Sequence, residues 1–157
     1  MTASHLALTV NSPEETAGLA ESLGATLMPG DCLLLSGEIG SGKTHFARSL
    51  IQSLMSEPED VPSPTFTLVQ VYDTNRGELW HTDLYRLSSL EEIEELGLSE
   101  AFTDVITLVE WPDRLGPMTP RHALSITFEA DPKHETRRKL TVEWTDPKWQ
   151  PRLTWPT

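Results

Sequence analysis

Eight consecutive residues, Gly37-Glu38-Ile39-Gly40-Ser41-Gly42-Lys43-Thr44, have the types and spacing that a bound triphosphate requires. Gly37 and Gly42 bracket four residues ahead of Lys43-Thr44. Glycine is needed because a loop wrapped around phosphate uses backbone angles and close approaches that side chains obstruct. The anion is held mainly by backbone N–H groups and by the positive end of the following helix. Lys43 adds a point charge for the β and γ phosphates, and Thr44 offers a hydroxyl to magnesium. Gly37, Gly40, Ser41, Gly42, Lys43 and Thr44 are therefore the expected nucleotide-binding residues, with ATP or ADP and Mg2+ as ligands.

Magnesium also calls for a carboxylate, and ligands of open α/β sheets gather at the carboxyl ends of strands. Two acids qualify. Glu110 follows the apolar run Val105-Ile106-Thr107-Leu108-Val109 as a Walker B acid would, and Asp83 ends a predicted strand containing Trp80 and Thr82. Spacing does not choose the main metal ligand between them. Ser63-Pro64-Thr65-Phe66 lies in the connection after the loop helix, where phosphate-loop proteins often carry a hydroxyl that reaches the γ phosphate. His81 and His45 are weaker candidates. No Cys/His/acid cluster has structural zinc spacing, and no Gly-x-Ser-x-Gly elbow occurs.

The elements that must position these groups follow from periodicity. Residues 6–10 alternate as a strand, and Ser12-Pro13-Glu14-Glu15 is a helix start with Ser12 as N-cap and Glu15 closing a capping box; Gly24 ends that helix. Residues 32–36 suit a buried strand, and residues 43–55 a helix with apolar Phe46, Ala47, Leu50, Ile51 and Leu54. Strand, glycine-rich turn and helix come in the order a phosphate loop demands. A Pro-rich connection over 57–64 leads to a predicted hairpin of residues 67–72 and 79–84. Ser89 begins a short helix whose glutamates 91, 92, 94 and 95 form a solvated face, and a short turn covers 99–102. Residues 105–109 are a second buried strand, and 123–128 with 139–144 a closing hairpin. The expected fold is α/β: one P-loop domain over residues 1–157, a central sheet of mixed parallel and antiparallel strands flanked by helices, and a C-terminal tail over 145–157.

Bulk composition narrows the function. With 157 residues the chain matches one domain. Asp and Glu number 24 against 12 Lys and Arg, a net charge of -12, and a field of that sign repels nucleic acid and anionic lipid. Direct tRNA or membrane binding is not expected. Cys32 is the single cysteine, so no internal disulfide is possible; it is expected to be a buried thiol in a reducing, cytoplasmic setting.

Four segments agree with one family. The phosphate loop, Ser63-Pro64-Thr65-Phe66-Thr67-Leu68-Val69, His81-Thr82-Asp83-Leu84-Tyr85-Arg86-Leu87 and Val109-Glu110-Trp111-Pro112 together resemble the TsaE family, also called YjeE, over roughly residues 6 to 142. The resemblance implies a bacterial ATPase required for threonylcarbamoyladenosine (t6A) formation in tRNA, acting with the proteins TsaD and TsaB and meeting tRNA only through them. It also implies that the loop binds phosphates, that Thr44 and Glu110 serve magnesium, that Thr65 belongs to a switch-like loop, and that Asp83 helps arrange metal or attacking water. Glu38 stands where the family usually has Asp. His45 replaces a second hydroxyl residue and keeps only its backbone amide for the α phosphate. The family places an arginine near the last hairpin; Arg137 and Arg138 both qualify. The alternatives are a small-molecule P-loop kinase and a guanine-nucleotide switch, the latter disfavoured because no Asn-Lys-x-Asp occurs.

Overall fold

The computed structural model describes residues 3–155. Its strands are β1 (Ser4–Val10), β2 (Cys32–Gly37), β3 (Val69–Thr74), β4 (Gly77–Asp83), β5 (Ile106–Glu110), β6 (Leu124–Asp131) and β7 (His134–Trp144). Its α-helices are α1 (Pro13–Gly24), α2 (Lys43–Ser53), α3 (Leu90–Glu95) and α4 (Leu98–Asp104). The seven strands make one sheet in the order β1-β7-β6-β2-β5-β4-β3. The pairs β2–β5, β2–β6 and β4–β5 are parallel, and β1–β7, β3–β4 and β6–β7 are antiparallel. The expected α/β class and mixed sheet are therefore what the chain adopts.

Local chemistry accounts for the element ends. Ser12 accepts from the Glu15 amide at 3.1 Å while the Glu15 carboxylate accepts from the Asn11 amide, a reciprocal arrangement that satisfies donors the first helical turn leaves open. Ser89 does the same for α3 through the Glu92 amide, and Glu91, Glu92, Glu94 and Glu95 face solvent around buried Ile93. The expected turn over 99–102 is a full short helix, α4, and residues Pro112–Met118 form 3-10 turns broken by a kink at Gly116, which periodicity does not reveal.

Strand period divides the core into two layers. Leu33 and Leu35 of β2, Leu79 of β4, Ile106 and Leu108 of β5, and Leu140 and Val142 of β7 face α1 and α2, where Phe46, Ala47, Leu50 and Ile51 meet them. On the opposite face Leu34, Val109 and Cys32 pack against Leu84, Ile93, Leu98 and Phe102. β2 is buried on both faces, which is why it reads as continuous apolar sequence and not as an alternation.

The segment expected to be a tail, residues 145–157, packs against the body of the domain as far as it is described. Pro147–Arg152 form a 3-10 turn capped by Asp146. Trp149 is fully buried and donates to the His122 carbonyl at 2.7 Å. Trp155 closes the α1–α2 layer, donating to Leu19 and Ser22 and meeting Phe46 edge-on. Lys148 and Arg152 reach buried Asp31 at 2.8 and 2.6 Å. Its Pro and Trp content carries no periodicity, so packing of this kind leaves no pattern to read in sequence.

Cys32 is buried without exposure, and burial pushes its thiol up to about 12. The thiolate is the reactive form, so at pH 8 the native protein should resist an aromatic disulfide reagent, while protein unfolded in guanidinium reacts at the rate of a free thiol. Equal rates in the two states would contradict this packing.

Candidate nucleotide-binding site

The site begins where β2 runs out. Gly37 has φ +147° and lies so close to its surroundings that a Cβ would come within 2.5 Å of Ser41 Oγ and 2.6 Å of the Phe128 carbonyl oxygen. Gly42, at φ +109°, turns the chain into α2. Both positions exclude side chains, one for space and both for backbone angle. The N-terminal amides of α2 are thereby aimed at the mouth of a cavity of about 680 Å³.

Gly40, Gly42, Lys43, Thr44 and His45 line this cavity together with Thr65, Asp83 and Glu110. Gly37 and Ser41 lie behind it and line an adjoining hollow. The His45 ring donates from Nε2 to the carbonyl of Pro13, another lining residue, at 2.9 Å, which ties α2 to the start of α1.

The two acids meet through register. Parallel pairing sets Asp83 of β4 opposite Glu110 of β5. The two-residue strand period puts both on the α2 face, the face of Leu79 and Leu108. Thr44 Oγ1 donates to Glu110 Oε1 at 2.7 Å, and His81 Nε2 holds Glu110 Oε2 at 2.6 Å. Thr65 Oγ1 donates to Asp83 Oδ2 at 3.2 Å, and the Tyr85 amide to Asp83 Oδ1 at 2.9 Å. The Ser63 and Thr65 hydroxyls lie 2.8 Å apart. The expected catalytic residues Thr65, Asp83 and Glu110 are thus in one place.

The charges are mutually tuned. Burial pushes the Glu110 carboxyl up, but hydrogen bonding and charge from His81, the Thr44 hydroxyl and the Lys43 ammonium outweigh it and hold the group below the ordinary carboxylate value. Burial pulls Lys43 down from its usual value, opposed by Glu110, Asp83 and Glu38. Lys43 Nζ donates to the carbonyls of Gly37 at 2.8 Å and Glu38 at 3.5 Å, and lies 4.2 Å from the centre of the Trp111 ring. Trp111 takes a left-handed backbone, φ +58°, to lay its indole there. Trp111 belongs to the Val109-Glu110-Trp111-Pro112 segment, but a positive φ in a tryptophan leaves no signal in sequence for this contact.

Thr44, Glu110 and Asp83 offer hard oxygens at one end of the cavity. Among the described residues no group of three or more His, Cys, Asp or Glu is placed to hold a metal ion by itself. That donor set suits magnesium, which takes one or two carboxylates and completes its shell with phosphate and water.

Strand parity puts the two arginines on opposite faces. β7 begins at His134, earlier than the predicted residue 139, so both arginines are inside it. Arg138 shares the inward face of Leu140, Val142 and Trp144 and lines the cavity. Its guanidinium donates to the loop carbonyls of Ser41 at 3.0 Å and Gly40 at 3.3 Å. Arg137 points the other way, to Asn11 and Asp131.

Residues 10–140 match the model of the family described as Threonylcarbamoyl adenosine biosynthesis protein TsaE. The chain is similar to the tRNA threonylcarbamoyladenosine biosynthesis protein TsaE of Rickettsia bellii, 42% identical over 76% of this chain and 83% of that one. It is also similar to its namesake in Aquifex aeolicus, 35% identical over 85% and 92%. The crystal structure of Bacillus subtilis YdiB superposes with a TM-score of 0.75 at 27% identity, covering 97% of this chain and 93% of that one. A phosphate loop at the end of β2, two acids brought face to face by parallel register and a family match across most of the sequence lead to one conclusion: the chain belongs to the TsaE family.

Proposed function

We propose that this protein is a P-loop ATPase of t6A biosynthesis, binding and hydrolysing Mg-ATP to drive the cycle of a TsaD–TsaB complex. The observation that carries the reading is the Thr44–Glu110 hydrogen bond beside the loop, since a hydroxyl and a carboxylate so paired offer the hard oxygens that a triphosphate's magnesium would take. When bound, that ion would neutralise charge on the transferred phosphoryl group. Lys43 turns from its carbonyls toward the β and γ phosphates, and the Asp83–Thr65 pair orients the attacking water. Arg138 lies against the loop carbonyls of Ser41 and Gly40, and no arginine finger can be assigned in the sequence. Slow turnover in isolation follows, because such fingers contribute roughly 10³–10⁵-fold.

The net charge of -12 favours protein partners over tRNA as the direct contact. The test is ATP hydrolysis by the protein alone and with TsaD and TsaB added, with tRNA modification followed in parallel. Turnover that rises on adding the partners, together with t6A, supports the reading. Absence of Mg-ATP binding, or phosphoryl transfer to a metabolite without release to water, would overturn it.

A further inference from the structure

Strand β4 sends a second ionisable side chain to the same face as Asp83. His81 is fully buried two residues earlier, one step diagonally from Glu110 across the β4–β5 pair. Its Nε2 is 2.6 Å from Glu110 Oε2. An ionised carboxylate can only accept, so Nε2 carries a proton and His81 donates. Glu110 Oε1 is taken by Thr44, so each oxygen of this carboxylate has its own donor.

His81 Nδ1 is buried with no hydrogen-bond partner among the described residues. Buried polar atoms are rarely left so, because the desolvation is not recovered. An apolar residue would fill this layer, beside Leu79 and Leu108, without that cost. The imidazole therefore has one polar contact, and that contact is with the acid of the site.

We infer that His81 is a positioning residue for Glu110: its Nε2–H fixes the rotation of the carboxylate so that Oε1 is presented, together with the Thr44 hydroxyl, to the cation accompanying a bound nucleotide. A glutamate side chain has three torsions and a nearly free terminal rotation. Anchoring one oxygen removes that freedom before ligand arrives. Partners that orient metal-binding side chains in this way typically change metal affinity or activity by about 10–100-fold when lost. This inference rests on the Mg-nucleotide reading above.

The test measures ADP affinity by calorimetry in magnesium and in EDTA, for the wild type and for His81→Gln, His81→Asn and His81→Leu, with unfolding midpoints taken alongside. Gln carries an amide nitrogen out to the level of Nε2. Asn stops at the level of Nδ1 and cannot reach Glu110, and Leu fills the space with no donor. The expected result is that all four proteins bind ADP alike in EDTA. The magnesium-dependent gain is kept within about threefold by Gln and falls about tenfold or more in both Asn and Leu.

In a Glu110→Ala background the His81 substitutions should make no further difference to that gain. If Leu lowers stability too far to measure, the Gln and Asn pair still decides, because both are polar and only one can reach. A full magnesium gain in Asn or Leu, or an equal loss in all three variants, overturns the positioning role and leaves nucleotide binding standing. A wild type with no magnesium gain would instead remove the metal reading itself, and this inference with it.

Discussion

Lys43→Ala should lose tight nucleotide binding, with ADP and ATP affinity falling on the order of a hundredfold. Hydrogen bonds to charged groups contribute about 1.5–3 kcal/mol each, and a phosphate-bound lysine makes more than one. In the ligand-free protein the ammonium is held by the Gly37 carbonyl and the Trp111 ring, and removing it leaves only carbonyls that can take water. The loop glycines and the α2 amides remain, so the variant should fold with nearly unchanged stability while binding collapses. Calorimetric titration with ADP checks this, and an affinity within about threefold of wild type would remove Lys43 from the site.

The second large effect is at Glu110. Glu110→Ala should lower hydrolysis by about 10²–10⁴-fold, the range for removing a positioned acid–base or charge-stabilising group, while nucleotide affinity in EDTA changes little. Unlike Lys43→Ala, it separates binding from turnover. It also leaves the Thr44 hydroxyl and the His81 Nε2–H without an acceptor, at about 1–3 kcal/mol for each buried group not reached by water.

The pH dependence has a definite sign. The folded carboxyl sits below its ordinary value, so its contribution is complete above the unfolded pKa and is lost as pH falls through the folded one. Between those points the Glu110 contribution to stability is lost as pH falls, and Glu110→Gln should remove that contribution from the acid limb. Steady-state turnover and a pH series measure both. Equal, unimpaired turnover in the Lys43 and Glu110 variants would defeat these assignments.

Sequence alone made the phosphate loop legible because its physics is local: Gly37, Gly42, Lys43 and Thr44 act within one turn of chain. The strand and helix kinds were legible for the same reason, through periods of two and 3.6. What sequence did not state was pairing. Asp83 and Glu110 qualified separately, as strand ends, but their alignment depends on β4 lying parallel to β5 in a particular register.

His81 had a signal that went unused, since it shares parity with Leu79 and Asp83. Arg138 had one too, sharing parity with Leu140, Val142 and Trp144; the charged stretch 134–139 concealed the early start of β7. The buried tryptophans of the C-terminal segment and the left-handed Trp111 had none, because irregular backbone is decided by what it packs against.

The pairing of Thr44 with Glu110 and of Lys43 with Gly37 has a bearing on product release. The Lys43 ammonium and the Thr44 hydroxyl already have acceptors before anything binds, so from these two groups a nucleotide gains only the difference between its contacts and those it displaces. When it leaves, the same internal bonds re-form and the departing charges are not abandoned in a desolvated cavity. Side chains that recover their own bonds in this way lower the cost of vacating the site, which suits repeated binding and release more than storage of a ligand.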